Sequence, residues 1–175
     1  MGSDQELIDL INKGDADAFD ELYHRYRDWV YQLAWRFTRN HQDALDVLQE
    51  TFTYLLRKFP NFELTAAMTT FLYPVVKHTS FTVKRKGRRL TFGDEVLKGI
   101  QAPEEKQSSH GELASILAIL PEQQREVLLM RFVDDMSLKE IAAALDAPLG
   151  TVKSRLYHGL QALRNNPGTR EYFLE

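Results

Sequence analysis

The sequence predicts an all-α protein: two small helical domains joined by a flexible linker, the C-terminal one containing a helix-turn-helix. Three observations predict it. Apolar residues recur three and four positions apart through most of the chain, the period of helices with one buried face. That period fades from about Leu90 to His110, where Gly93, Gly99, Pro103, the Glu104–Glu105 pair and Ser108–Ser109 read as a tether. From Ser137 to Arg164, SLKEIAAALDAPLGTVKSRLYHGLQALR reads as a helix, a tight turn and a second helix. The boundaries that follow are 1–89, 90–111 and 112–175. A chain of 175 residues, 43% hydrophobic, has enough apolar side chains for a core in each half.

The first helix is expected from Asp4 to Asn12, with Leu7, Ile8 and Ile11 inward and Gly14 as its stop. Asp15 or Asp17 then caps a longer helix to about Thr38, whose inward stripe is Phe19, Leu22, Tyr26, Trp29 or Val30, Leu33 and Phe37. A third helix runs from about Gln42 to Lys58 and is ended by Pro60. Leu45, Leu48, Phe52, Leu55 and Phe59 are expected inward, and Asp43, Asp46, Glu50, Thr53 and Arg57 on the opposite face. The fourth, about Thr65 to Lys86, interleaves Phe71, Tyr73 and Phe81 with Lys77, His78, Lys84 and Arg85. Aromatics beside cations suit unpaired bases, because rings stack on base faces while Lys and Arg follow phosphates. Phe71, with Leu72 and Val75 or Val76, also belongs in part to a core, and the basic end KRKGRR reads equally as a solvated tail. Pro74 inside this helix removes a hydrogen bond and predicts a kink or break; Gly87 predicts a hinge.

Beyond the linker, Leu113 to Leu120 is helical in pattern. Pro121 opens a helix from Glu122 to about Val133, with Val127, Leu128, Met130 and Phe132 as its apolar face. In the helix-turn-helix, Leu138, Ile141, Ala142 and Leu145 face inward from the first helix, and Asp146 and Pro148 form the turn. Val152, Leu156, Leu160 and Leu163 stripe the second helix. Thr151, Ser154, Arg155 and His158 lie opposite, flanked by Lys153 and Tyr157. A polar, cationic outer face on the second helix suits a DNA major groove. Periodicity alone describes any antiparallel helix pair equally well.

Charge is unevenly spread. The formal net charge is −3, and the first 21 residues hold seven carboxylates and one lysine. Between Leu64 and Gly93 there is no acidic residue, while Lys77, Lys84, Arg85, Lys86, Arg88 and Arg89 are cationic. Such a chain should bind free DNA weakly and with strong salt dependence, as a subunit of a larger DNA-binding machine would. With no cysteine, disulfides, thiolate metal sites and thiol catalysis are excluded. No apolar run approaches about 18 residues and no signal-peptide pattern opens the chain, so no membrane insertion and a cytoplasmic location are expected. The five histidines show no ligand spacing, and no phosphate-binding or nucleophile motif occurs. The reading is therefore a non-enzyme with no catalytic residues, no metal and no cofactor.

EIAAAL followed by GTVKSRL, with LPEQQREVLLMRF upstream, resembles the C-terminal promoter-reading domain of extracytoplasmic-function (ECF) sigma factors. Related helix-turn-helix activators share EIA and TVK, so the N-terminal half decides. There DALDVLQETFTYLLRKF resembles the segment with which sigma factors grip the clamp helices of RNA polymerase, usually written DAEDLVQETF. Asp43, Asp46, Gln49 and Glu50 match, and Leu45 stands where the family has Glu. MTTFLYPVVKHTSFTVKRKGRR is similar to the family's AWLYxIAxNxxxDxxR at Leu72, Tyr73, Val75 and the basic end. It departs at Phe71 (family Trp), Pro74 and His78 (family Asn, implicated in reading an extruded minus-10 base).

The resemblance implies a subunit that works within RNA polymerase holoenzyme, binding core RNA polymerase and promoter DNA, both duplex and melted strand. It implies minus-35 contacts by Thr151, Lys153, Ser154, Arg155 and His158. Minus-10 recognition and melting would fall to Phe71, Tyr73, Lys77, His78, Lys84, Arg85, Arg88 and Arg89, and polymerase docking to Asp43, Asp46, Gln49 and Glu50. An anti-sigma factor or another regulator is a further expected partner, common in the family. Two other readings stay open: a regulator binding operator DNA without polymerase docking, and a module that sequesters partners. Two departures suggest narrower expectations. The carboxylate missing at Leu45 makes docking conditional, with Thr51 or Thr53 able to regain charge by phosphorylation. His78 alters minus-10 base choice or makes it sensitive to mild acid.

Overall fold

The computed structural model describes residues 2–91 and 116–169, with side chains as far as Lys86 in the first stretch. All regular structure among the described residues is helical, and the chain divides into two units, Met1–Lys98 and Gly99–Glu175. Most of the predicted linker, the start of the helix expected at Leu113 and the last residues of the chain lie outside the described residues.

In the first unit, α1 (Asp4–Asn12) begins at Ser3. Its hydroxyl accepts the Glu6 N–H while the Glu6 carboxylate accepts the Ser3 N–H, a reciprocal cap that satisfies two otherwise free donors. Gly14, at φ +92°, turns the chain into α2 (Ala16–Thr38), where the Asp15 carboxylate accepts the N–H groups of Asp17 and Ala18. Arg39 closes α2 in the left-handed conformation, and the Asn40 side chain caps α3 (His41–Leu56). Helices α1, α3 and α4 (Met68–Thr91) all pack on α2, around Ile8, Leu22, Leu33, Leu55, Met68 and Leu72, each fully buried. Asn12 fastens the α3–α4 loop to the end of α1: its amide donates to the Phe62 carbonyl at 2.9 Å and accepts the Phe62 N–H at 3.0 Å. Arg25 ties α1 to α2 from the other side, bonding the Asp4 carboxylate at 2.7 Å and the Gly2 carbonyl at 2.8 Å.

Three expectations are corrected here. The buried face of α3 is Ala44, Val47, Thr51, Phe52 and Leu55; Leu45 is 37% exposed and Leu48 half-buried. The leucines carry more apolar surface, but α3 must fit against α2 and α4 together, and small Ala44 permits the close approach. Pro74 does not break α4, which continues through it and through Gly87. Pro74 lies on the exposed side, so its ring and missing N–H burden the solvent face of the helix rather than its packed face. Phe132 is 62% exposed rather than inward, because α5 ends there and Met136, 1% exposed, enters the core after the chain reverses.

The second unit comprises a helical turn at 116–118, α5 (Glu122–Phe132), α6 (Leu138–Ala144) and α7 (Leu149–Asn165). Leu117, Leu120, Leu128 and Leu163 form one buried cluster, onto which Leu156 and Leu160 pack. The Arg125 guanidinium donates to the Leu120 carbonyl at 2.9 Å, closing the turn that precedes α5. Ser137 and Glu140 repeat the reciprocal cap at the start of α6. Asp146, at φ +48°, makes the turn, and Pro148 stands as the N-cap of α7, where its missing N–H costs nothing.

Candidate nucleic-acid interface

Helix α7 turns one face into its unit and the other to solvent. Val152, Gly159 and Leu163 are buried against the rest of the unit, which turns the other side outward. Lys153, Ser154 and His158 are exposed, and Thr151 and Arg155 half-buried. Tyr157, 60% exposed, meets the His158 ring edge-on at 5.4 Å between centroids. Gly159 sets how closely α7 seats: a β-carbon there would lie 2.9 Å from Leu128 Cδ1. The resulting surface holds a guanidinium, an ammonium, three hydroxyls (Thr151, Ser154 and Tyr157) and an imidazole. Groups of these kinds are able to bond base edges or phosphates.

On α4 the structure divides the predicted set. Tyr73 is 2% exposed and meets Phe37 edge-on, so it is a core residue and no platform for a base. Phe71 is half-buried between Phe62, at 4.9 Å, and Tyr54, at 6.5 Å and nearly parallel, which makes it chiefly a packing residue. These two aromatics face the core because α4 must cover both α2 and α3. Lys84 is half-buried and donates from Nζ to the Phe37 carbonyl at 3.0 Å, closing the last turn of α2. His78 and Arg85 are exposed, and Lys77 half-buried. The side chains of Arg88 and Arg89 lie outside the described residues. Phe81, left out of the predicted site, is 51% exposed. Its place one turn from Lys77 and one turn from Arg85 was the signal available in the sequence.

On α3, Asp46, Gln49 and Glu50 are exposed and Asp43 half-buried in the first turn. Leu45 is exposed on this side too, and with Gln49, Phe19, Tyr23, Leu48 and Phe52 it lines a shallow depression of about 300 Å³. The outward side of α3 is therefore acidic with an apolar strip. Thr51 is fully buried and so is no modification site; Thr53 is half-buried. Among the described residues, no three His, Asp or Glu side chains are placed to hold a metal ion, and no helix is long and apolar enough to cross a membrane.

Two family models match the chain: Sigma-70 region 2 over residues 22–90, and Sigma-70, region 4 over residues 110–163. The ECF RNA polymerase sigma-E factor of Escherichia coli (strain K12) is 33% identical, with 93% of each chain covered. The chain belongs to the ECF RNA polymerase sigma factors. A second relative, the ECF RNA polymerase sigma factor SigW of Bacillus subtilis (strain 168), is 29% identical over 91% of this sigma factor and 94% of its own length. The fold is also that of the sigma factor RpoE solved in complex with the anti-sigma factor NepR from Bartonella quintana. The TM-score is 0.62 at 21% identity, over 83% of this chain and 94% of that one. The region 2 match takes in α3 and most of α2 and α4, and the region 4 match covers α5, α6 and most of α7. The surfaces just described thus fall within the two regions that mark the chain as a sigma factor, one of a class of transcription initiation factors.

Proposed function

We propose that this sigma factor acts within RNA polymerase holoenzyme as a non-enzymatic, cytoplasmic promoter-specificity subunit. Asp43, Asp46, Gln49 and Glu50 on α3 dock on core polymerase. Thr151, Lys153, Ser154, Arg155 and His158 on α7 contact the minus-35 duplex. Lys77, His78, Arg85 and the basic end of α4, including Arg88 and Arg89, meet the melted minus-10 strand. An anti-sigma factor, such as the NepR seen in complex with the Bartonella quintana sigma factor, is a fitting partner for the same surfaces.

The observation that carries this reading is the outward side of α3. Asp46, Gln49 and Glu50 are solvent-exposed at the positions that match the family's docking segment, while the inward side of α3 is consumed by the core. A regulator that grips DNA alone has no use for such an acidic face beside its nucleic-acid surfaces. Run-off transcription with core polymerase on a randomised promoter library tests the proposal. Initiation from a selected motif pair, with no tight gel shift by the free chain, is the expected result. A dimer that shifts specific DNA tightly without polymerase would replace it with the operator-binding reading. Failure to initiate from any template would leave only a sequestering role.

A further inference from the structure

Of the three aromatics that α4 sets among its cations, packing removes Tyr73 and most of Phe71, and leaves Phe81 on the surface. Its ring is not loose. Phe37 lies 5.9 Å away at 49°, and Phe37 in turn meets the buried Tyr73 at 6.2 Å. Lys84 holds the Phe37 carbonyl from the next turn of α4. One side of Phe81 is thereby backed by protein while 51% of the residue faces solvent. Arg85 stands exposed one turn on, His78 exposed one turn back, and no carboxylate occurs from Leu64 to Gly93. A backed ring with an open face, on a helix that carries cations and no carboxylate, is an arrangement that can capture a base by stacking and its phosphates by charge.

We propose that Phe81 is the stacking platform for one unpaired base of the melted strand, with Arg85 taking an adjacent phosphate. This rests on the reading that α4 faces that strand. It adds a residue that the sequence motif leaves unspecified, and moves aromatic recognition from Phe71 and Tyr73 to the next turns of the helix.

The test uses holoenzyme assembled from core polymerase and the full chain, on a pre-melted template selected with the wild-type protein. Phe81→Leu keeps most of the side-chain volume, so it should melt like wild type, bind core polymerase unchanged and hold the pre-melted template roughly tenfold less tightly. Phe81→Trp should recover the loss. Abasic sites placed along the unpaired strand should reveal one position where wild type loses about tenfold and Phe81→Leu loses little more, since both changes remove one stack. Strict additivity at every position overturns the proposal, as does a loss that Trp does not recover or that appears in core-polymerase affinity instead. Wild-type holoenzyme that ignores the pre-melted template would overturn the reading of α4 itself. Wild-type engagement with Phe81→Leu unaffected would sink Phe81 alone.

Discussion

Tyr26 shows how one side chain links the acidic N-terminus to the core. Its hydroxyl donates to the Asp4 carboxylate, which the Arg25 guanidinium also grips. Burial first, then the hydrogen bond and the charge of Asp4, raise the Tyr26 pKa above the ordinary tyrosine value of 10.0. The folded state therefore holds this proton more tightly than the unfolded state. The contribution is complete below pH 10.0 and is lost as pH climbs from there toward the folded value. Denaturation of wild type and Tyr26→Phe should differ by a constant across neutral pH, and the difference should shrink in strong alkali. A gap that stays constant through that range would contradict the linkage. Gly159 sets opposing effects against each other. Alanine there would gain about 1 kcal/mol of helix propensity, whereas overpacking against a buried neighbour costs about 1–3 kcal/mol. Leu128, only 4% exposed within its cluster, has little room to swing away from the new methyl. Gly159→Ala should therefore lower stability by about 1 kcal/mol in urea denaturation, and a stabilised variant would mean that Leu128 yields freely.

At the scale of elements, α3 was legible as a helix and misread in its register. Periodicity gives the positions that share a side; it does not say which of two adjacent stripes meets the neighbours. Leu45 and Leu48 outweigh Ala44 and Val47 in apolar surface, yet the smaller pair is buried because two helices must approach α3 at once. On the outward side, where docking is proposed, Leu45 stands beside Asp46 and Gln49 in place of the family's glutamate. Leu45→Glu should leave folding stability unchanged and tighten core-polymerase binding about two- to fivefold, the range of an exposed ion pair. Equal affinities in a binding titration would remove the idea that Leu45 weakens the dock. On α4 the same limit applied to the aromatics. Spacing put Phe71, Tyr73 and Phe81 among cations, and only the packing of α4 on α2 and α3 sorted the first two inward from the third.

For the whole molecule, charge placement outweighs charge total. A net −3 chain with seven carboxylates in its first 21 residues and an acid-free stretch along α4 is suited to bind DNA only when another body supplies most of the attraction. Two substitutions on α7 separate the contributions to promoter binding by holoenzyme. Lys153→Gln should lower the salt slope by about 1 and weaken all sequences alike. Arg155→Ala should cost about 1–3 kcal/mol and relax base preference at one position of the minus-35 element. Promoter selection across a salt series checks both. Uniform weakening by Arg155→Ala would assign that residue to phosphate rather than to a base.

The sequence by itself determined the helical class, the approximate spans of α1 to α3 and of the helix-turn-helix, and the family. Each depends on local chemistry: a capping serine or aspartate, a glycine or proline at a boundary, a 3.6-residue stripe, a motif read in order. What only the tertiary structure decided was which side chains remain available to partners. Leu45, Phe81 and Phe132 stayed outside and Tyr73 and Thr51 went in, because burial follows how several helices fit together in space, and no single helix carries that information in its own spacing.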